Sequence, residues 1–536
     1  MSTPGAVPLK QEELAALRLR LETRQLHEED FTLLMKLIAT VQTLVRVLEH
    51  NRASIARLKK MLFGAPTEKS KTEVGSTPSA GQPSNRTAKG HGRHGAQSYF
   101  GAKRVEVPHT QVKAGERCPE CGKGNLYCLK KPSSVVWLEG KAPVQATVYE
   151  CLTMRCSGCG KLFTAEAPQE ARQKKYDESV GSMVALLRYG NGLPFFRLQQ
   201  LQRSMGVPLP ASVQWQLAQQ KAQSLKPIYE ALLRHAAQGE LMRVDDTTMT
   251  ILERDGRGRG SPECPTPQGQ KKESSEKKAT HTTAIVSSGQ EDRQVVLYAT
   301  GARQAGQNMD RLLSQRDAQR PAPIQMCDAL PGNLPKQFHI ILANCLAHAR
   351  RKFLELTEPF PQEVQLVLYA FQYIYANEEE ATRATLTPQQ RLQFHQLRSA
   401  FVVEGLFDWM RAQISSTMVE PNSQLGQAFA YMFKHREPLT LFLRVPNAPL
   451  DNNVCERVLK RAILHRKNSL FYKTSAGAEV GDLLMSVIST CTMNGVNPLL
   501  YLTDVEKHAA EVAQNVESWL PWSYVPKPSN PTAHPP

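Results

Sequence analysis

The chain lacks any stretch that reads as a membrane span. Its longest run without a charged residue, Leu483 to Leu502, is broken by Asn494, Gly495, Asn497 and Pro498. Those residues mark a turn between two helices of a soluble protein. The first residues lack an apolar core followed by a small-residue cleavage site, so no secretory signal peptide is expected. Cysteine is scarce, with 11 in 536 residues. An odd count with four members in two tight pairs excludes a disulfide framework and points to metal-bound thiolates in a reducing compartment. A cytoplasmic location and no membrane partner are the expectation. Acidic residues are in deficit, 50 against 66 basic ones, for a formal charge of +16 and a pI near 9.3. This balance fits a polyanionic partner, although proteins that bind none also reach it. There is no repeat array, and the length suffices for several domains.

The composition shifts several times along the chain. Residues 1–63 form a helical region. Within it Leu34, Val41, Leu48, Ile55 and Leu62 recur every seven residues, and Leu37, Leu44, Asn51 and Leu58 follow three residues after the first four. These are a and d positions of a self-associating coiled coil, with Asn51 available to fix register. The competing reading is an amphipathic helix packed on its own chain. Residues 64–107 read as a flexible basic linker. Residues 108–168 carry the cysteine pairs, 169–235 short helices, and 236–475 strands followed by a helical stretch over about 360–445. Residues 476–520 are helical again, and 521–536 are a Pro-rich disordered tail.

Two motifs precede the strands. Cys118-Pro-Glu-Cys121-Gly and Cys156-Ser-Gly-Cys159-Gly are a zinc-ribbon signature. Each i, i+3 pair turns two thiolates onto one ion, and the glycine frees the backbone for that knuckle. A closed four-thiolate Zn²⁺ site is structural rather than catalytic. Cys128 and Cys151 are nearby spares. Residues 193–217 read as helix, turn and helix, with Phe196, Leu198 and Leu201, then Met205-Gly206-Val207, then Ser212, Val213 and Trp215. This layout can set a second helix in the major groove, but many helix pairs share it without touching DNA.

Three acidic segments stand apart. Asp245-Asp246 interrupts a strand-like apolar run, Leu241 to Leu252, and acids are poor strand formers. Asp328 ends a short apolar strand that starts near Ala322. Glu456 lies at the start of a helix, after Asp451-Asn452-Asn453. Carboxylates from separated segments that converge can hold Mg²⁺ or Mn²⁺, and two such ions clamp the attacking and leaving oxygens of phosphodiester transfer. Against this, Asn453 and Glu456 fit a capping box, and Asp328 fits a strand-end turn. Basic residues crowd the same segments: Arg350, Arg351 and Lys352 after Cys345-Leu-Ala-His348, and Arg457, Lys460, Arg461, Arg466 and Lys467 after Glu456. They read either as a solvated face or as phosphate contacts. Cys345 and His348 fit a metal site, although such a pair more often packs or orients a neighbour.

Taken together and in order, these motifs resemble the large transposase of the IS sixty-six (insertion sequence sixty-six) family of bacterial mobile elements. The resemblance runs from about residue 50 to 506. It covers Leu58 to Gly64 with Glu68-Lys69, Gly90 to Arg93, the two cysteine pairs, and Leu193 to Trp215. It continues through Val244 to Thr247, Cys345 to Phe353, Asp451 to Arg457, Arg466 to Phe471, and Asn494 to Leu502. It implies an α/β RNase H-like core with an all-helical insertion and a DDE triad of Asp245, Asp328 and Glu456. The family usually has Glu after its first Asp, where this chain has Asp246. The variable segment 254–280 is implied to be a loop between the first strands. The implied partners are double-stranded DNA, as element ends and target, and small accessory proteins of the same element.

The resulting expectation is a multidomain DNA transposase: coiled coil, zinc ribbon, helix-turn-helix, then the catalytic core. Arg197, Arg350, Arg351, Arg457, Arg461, Arg466 and Lys467 would contact DNA. The alternatives are a transposase-derived protein that only binds DNA, and a metal-dependent nuclease without strand transfer.

Overall fold

The computed structural model describes residues 142–155, 162–254, 279–289 and 293–526, with Arg20 and residues 115–117. The heptads, the basic linker, Cys118, Cys121, Cys156, Cys159 and most of 254–280 lie outside the described residues.

Two short strands, β1 (Thr153–Arg155) and β2 (Leu162–Thr164), pair antiparallel. Four helices follow: α1 (Gln169–Gln173), α2 (Glu178–Ala185), α3 (Phe195–Ser204) and α4 (Ala211–Ala237). Asp177 caps α2 by accepting from the amides of Ser179 and Val180. Pro194 and Pro210 stand at the entrances of α3 and α4, where a missing N–H is tolerated. Gly206 turns the chain between them at φ +75°, a left-handed conformation that favours glycine.

The strands β3 (Leu241–Thr248), β4 (His281–Ser288), β5 (Gln294–Gly301), β6 (Ile324–Cys327) and β7 (Ile341–Asn344) form one sheet in the order β5-β4-β3-β6-β7. The first three are antiparallel, while β6 runs parallel to β3 and β7 parallel to β6. Helix α5 (Ala305–Leu313) leads to β6, and α6 (Leu346–Leu354) leaves β7. Five helices come next: α7 (Pro361–Arg383), α8 (Pro388–Arg398), α9 (Ala400–Ser415), α10 (Gln424–Lys434) and α11 (Arg436–Leu439). The chain then returns to the sheet as α12 (Asn453–Ser469), α13 (Ser475–Met493), α14 (Pro498–Lys507) and α15 (Ala509–Gln514).

β4 is buried along almost its whole length because helices cover both faces: α12 on one side and α5 on the other. This explains its nearly continuous apolar and threonine run. The β5 edge is closed by one helix. Asp482, Ser486 and Thr490 on α13 and Asn494 at its C-terminal cap recur every four residues. They accept the outward amides of Thr300, Tyr298, Val296 and Gln294 at 2.6, 2.9, 3.0 and 3.4 Å. A strand edge that would otherwise invite another chain is thereby satisfied internally.

One buried core joins α4, β3 to β5, α5, α12, α13 and α14, through residues such as Leu225, Val286, Met309, Leu459, Met485 and Tyr501. The borders expected at 235/236 and 475/476 therefore do not separate cores: α4 and α13 pack on the sheet itself. A second core joins β6, β7 and α6 to the helices over 360–445, so that stretch is built onto the β7 side of the sheet. No single helix among the described residues is long and apolar enough to cross a membrane. Helices α13 and α14 bend by 120° at the expected turn, where Gly495 has φ +71°.

Candidate active site

The pairing of β3 with β6 places the acidic residues. The last registered pair is Arg243 with Met326, and two residues further on stand Asp245, within β3, and Asp328, just past the end of β6. Side chains alternate across a strand, so the adjacent acids of β3 point to opposite faces. Asp246 faces α5. Its Oδ2 accepts the amide of Ala305 at 2.8 Å. Asp245 faces α12. The N-terminus of that helix is fixed to β3 by Asn452, fully buried, whose Nδ2 donates to the carbonyl of Val244 at 2.9 Å.

Glu456 stands in the first turn of α12. The capping box does not form. Asn453 is already helical, and its side chain donates to Asp451 Oδ2 at 2.6 Å. Glu456 Oε1 is buried without a hydrogen-bond partner. Asp328 does act as a turn residue, accepting from the amide of Leu330 at 3.3 Å and from the side chain of Asn333. Both bonds go to Oδ1, so this role leaves a ligand role open.

The electrostatics tie the three carboxylates together. Burial pushes Asp245 up to about 7, and the charges of Asp328, Glu456 and Asp246 add to this. The Asp246 amide, which donates to Asp245 Oδ1 at 2.9 Å, opposes it. Burial also raises Asp246, against its bonds to Thr283 and Ala305. Asp245, Asp328 and Glu456 do not gather as tightly as a second group does: Cys345, His348 and Glu456 offer ligand atoms all within 4.8 Å of one another. The carboxylates fit a divalent ion by donor chemistry, since the oxygens are hard. An orphaned buried Glu456 oxygen and an Asp245 carboxyl whose proton affinity burial raises are what a bound divalent cation would relieve.

The basic residues divide. Arg350 and Arg351 are exposed on α6, Arg457 and Lys467 on α12, and Arg197 on α3 beside Phe196, which is 61% exposed. Arg461 is not on that surface. Its guanidinium turns inward and donates to Ser489 Oγ on α13 at 2.5 Å, so the expected face of Arg457, Lys460 and Arg461 loses its third member. Arg466 donates to Thr247 Oγ1 at 3.0 Å and to the Thr248 carbonyl at 2.7 Å, which ties α12 to the end of β3. Helices α3 and α4 pack through Phe195 against Trp215 and through buried Leu198 and Leu209. One face of α4 is buried from Gln214 onward, and the opposite face is exposed. Reading the sequence missed Asn452 and the α13 ladder. Asn452 gives one signal, a polar run before Glu456. The ladder gives another, polar residues spaced by four in an apolar helix.

The family model described as Transposase IS66 family matches residues 174–480. Three similar proteins come from Sinorhizobium fredii. Uncharacterized protein y4jD is 24% identical over 526 residues, which is 90% of this chain and 96% of that protein. Uncharacterized protein y4hP is 22% identical over 443 residues, 78% of this chain and 75% of that protein. Uncharacterized protein y4qI is 30% identical over 190 residues, 35% of this chain and 34% of that protein. The matched span runs from α2 into α13 and takes in all three acidic segments, and the chain belongs to the IS66 family of transposases.

Proposed function

We propose that this protein cuts and joins DNA at the ends of an insertion sequence, with Asp245, Asp328 and Glu456 as the carboxylate triad. The observation that supports the reading is that Asp328, just past β6, and Glu456, on α12, both raise the proton affinity of Asp245 on β3. The sheet order supports an RNase H-like core: three antiparallel strands, then two parallel ones beyond the first. Asp245 rather than Asp246 is the ligand, because Asp246 is engaged with α5 on the opposite face.

Divalent ions bound by these carboxylates would stabilise the attacking and leaving oxygens of an in-line displacement. Asp245, within β3, and Asp328, just past β6, would hold those ions, through which the scissile phosphate would be oriented. Asn452 keeps Glu456 aimed at the same place. Arg350, Arg351, Arg457 and Lys467 neutralise flanking phosphates. In the first step water attacks phosphorus and the 3′-oxygen departs as a hydroxyl. In the second that hydroxyl attacks a target phosphodiester and displaces its 3′-oxygen. The Cys118, Cys121, Cys156 and Cys159 zinc ribbon and the α3–α4 pair recognise element ends. The N-terminal heptads pair protomers.

The test is strand joining with Mg²⁺ and labelled DNA carrying the element's own ends, beside Asp328→Ala. The expected result is a joined product from the wild type only. Cleavage without joining identifies a nuclease. End binding without cleavage, even after extract from the element's host is added, identifies a DNA-binding relic.

A further inference from the structure

The triad leaves one pair of polar atoms unexplained. His348 Nδ1 lies 3.8 Å from Glu456 Oε1, beyond hydrogen-bond distance. Both atoms are shielded from solvent, and neither has a hydrogen-bond partner. A buried nitrogen and a buried carboxylate oxygen left without hydrogen bonds both carry a desolvation cost. The spacing admits a third atom between them: two metal–ligand bonds of about 2.0–2.2 Å span it.

The neighbouring thiol does not compete for that place. Cys345 is buried at the entrance of α6, and its sulfur is already engaged by an amide. The Asn452 amide reaches its sulfur at 3.3 Å. Cys345 therefore joins the first turn of α6 to the entrance of α12 and sets the spacing between His348 and Glu456.

We propose that His348 Nδ1 is a ligand, with Glu456, of the divalent ion that the carboxylates bind, so the site is mixed nitrogen and oxygen. The inference rests on the carboxylate reading above. An imidazole ligand shifts preference away from Mg²⁺, which takes oxygen, toward Mn²⁺ and later transition ions.

The experiment adds Mn²⁺ alone to the purified full-length protein and reads nitrogen-14 couplings by pulsed electron paramagnetic resonance. The wild type is expected to show imidazole modulation. His348→Gln should lose it while still binding Mn²⁺, weaker by roughly ten- to a hundredfold. His348→Asn and a thermal melt guard against misfolding of the first variant. Mn²⁺ that binds in an Asp245-dependent way without nitrogen coupling overturns the inference and leaves the carboxylate site standing. Coupling that persists in both His348 variants also overturns it. Mn²⁺ binding indifferent to Asp245→Asn overturns both readings.

Discussion

Two of the histidine–glutamate pairs among the described residues are built to opposite ends. In the helical stretch, His395 is fully buried and satisfied on both sides: Nε2 to Glu378 Oε2 at 2.8 Å and Nδ1 to Ser399 Oγ at 2.9 Å. Glu378 also receives Arg391 Nε at 2.8 Å, and Asn377 donates to Ser399 Oγ at 3.1 Å. Serine, histidine and glutamate stand in line like a nucleophilic triad, yet the hydroxyl is sealed in and already engaged, so no substrate reaches it. Beside the sheet, His348 and Glu456 face each other at 3.8 Å with both atoms unmet. The first pair completes itself and holds helices together. The second needs something from outside, which is the mark of a site.

The carboxylates of the two regions differ in the same sense. Burial would raise Glu378, but the bonds from His395 and Arg391 and the charge of Arg391 outweigh it and hold it below the usual range. Asp245 has only an amide to oppose burial and like charges, and sits at about 7.

The largest effect that separates the regions is on chemistry. Asp245→Asn should lower strand joining on the order of 10³-fold or more, whereas His395→Ala should lower it only as far as folding suffers. In a denaturant melt the order reverses. His395→Ala leaves buried Glu378 short of a partner and should cost about 3 kcal/mol, and Asp245→Asn should cost nothing. A melt in which Asp245→Asn is the worse variant would make Asp245 structural.

Stability against pH gives a smaller effect of opposite sign at the two places. Glu378 is depressed in the folded state, so its contribution is present above the unfolded value and is lost as pH falls through the folded one. Asp245 is raised. Between roughly pH 4, its unfolded value, and about 7 the folded state holds the extra proton, so stability falls as pH rises through that window. Glu378→Gln should flatten the acid limb of the melting-temperature profile of the metal-free protein. Asp245→Asn should flatten the neutral limb, and so should Mn²⁺ added to the wild type. A profile that ignores both variants would break the comparison.

The smallest effect concerns the surface. Lys467→Ala should weaken binding about equally across DNA sequences and reduce the salt slope by about 1. Arg461→Ala, whose side chain is turned onto α13, should leave that slope unchanged and lower stability instead.

Much of this was legible from residues alone. The apolar flanks of Asp245-Asp246 marked β3, the run before Asp328 marked β6, Met205-Gly206 marked the turn between α3 and α4, and Asn494 to Pro498 marked the bend before α14. These signals are local: periodicity, turn chemistry and a charge out of place. Direction was not legible. Adjacent acids in a strand part to opposite faces, but which face meets α12 depends on pairing with strands far along the chain. Arg457 and Arg461 share a helical face by spacing, yet α13 takes one of them. Asn453 and Glu456 carry a capping-box pattern that the helix start, one residue off, does not use. Sequence by itself determined which residue types were available, in what order and on what elements. The tertiary structure alone decided which of them meet, because strand order and helix packing bring together groups that no local interaction links.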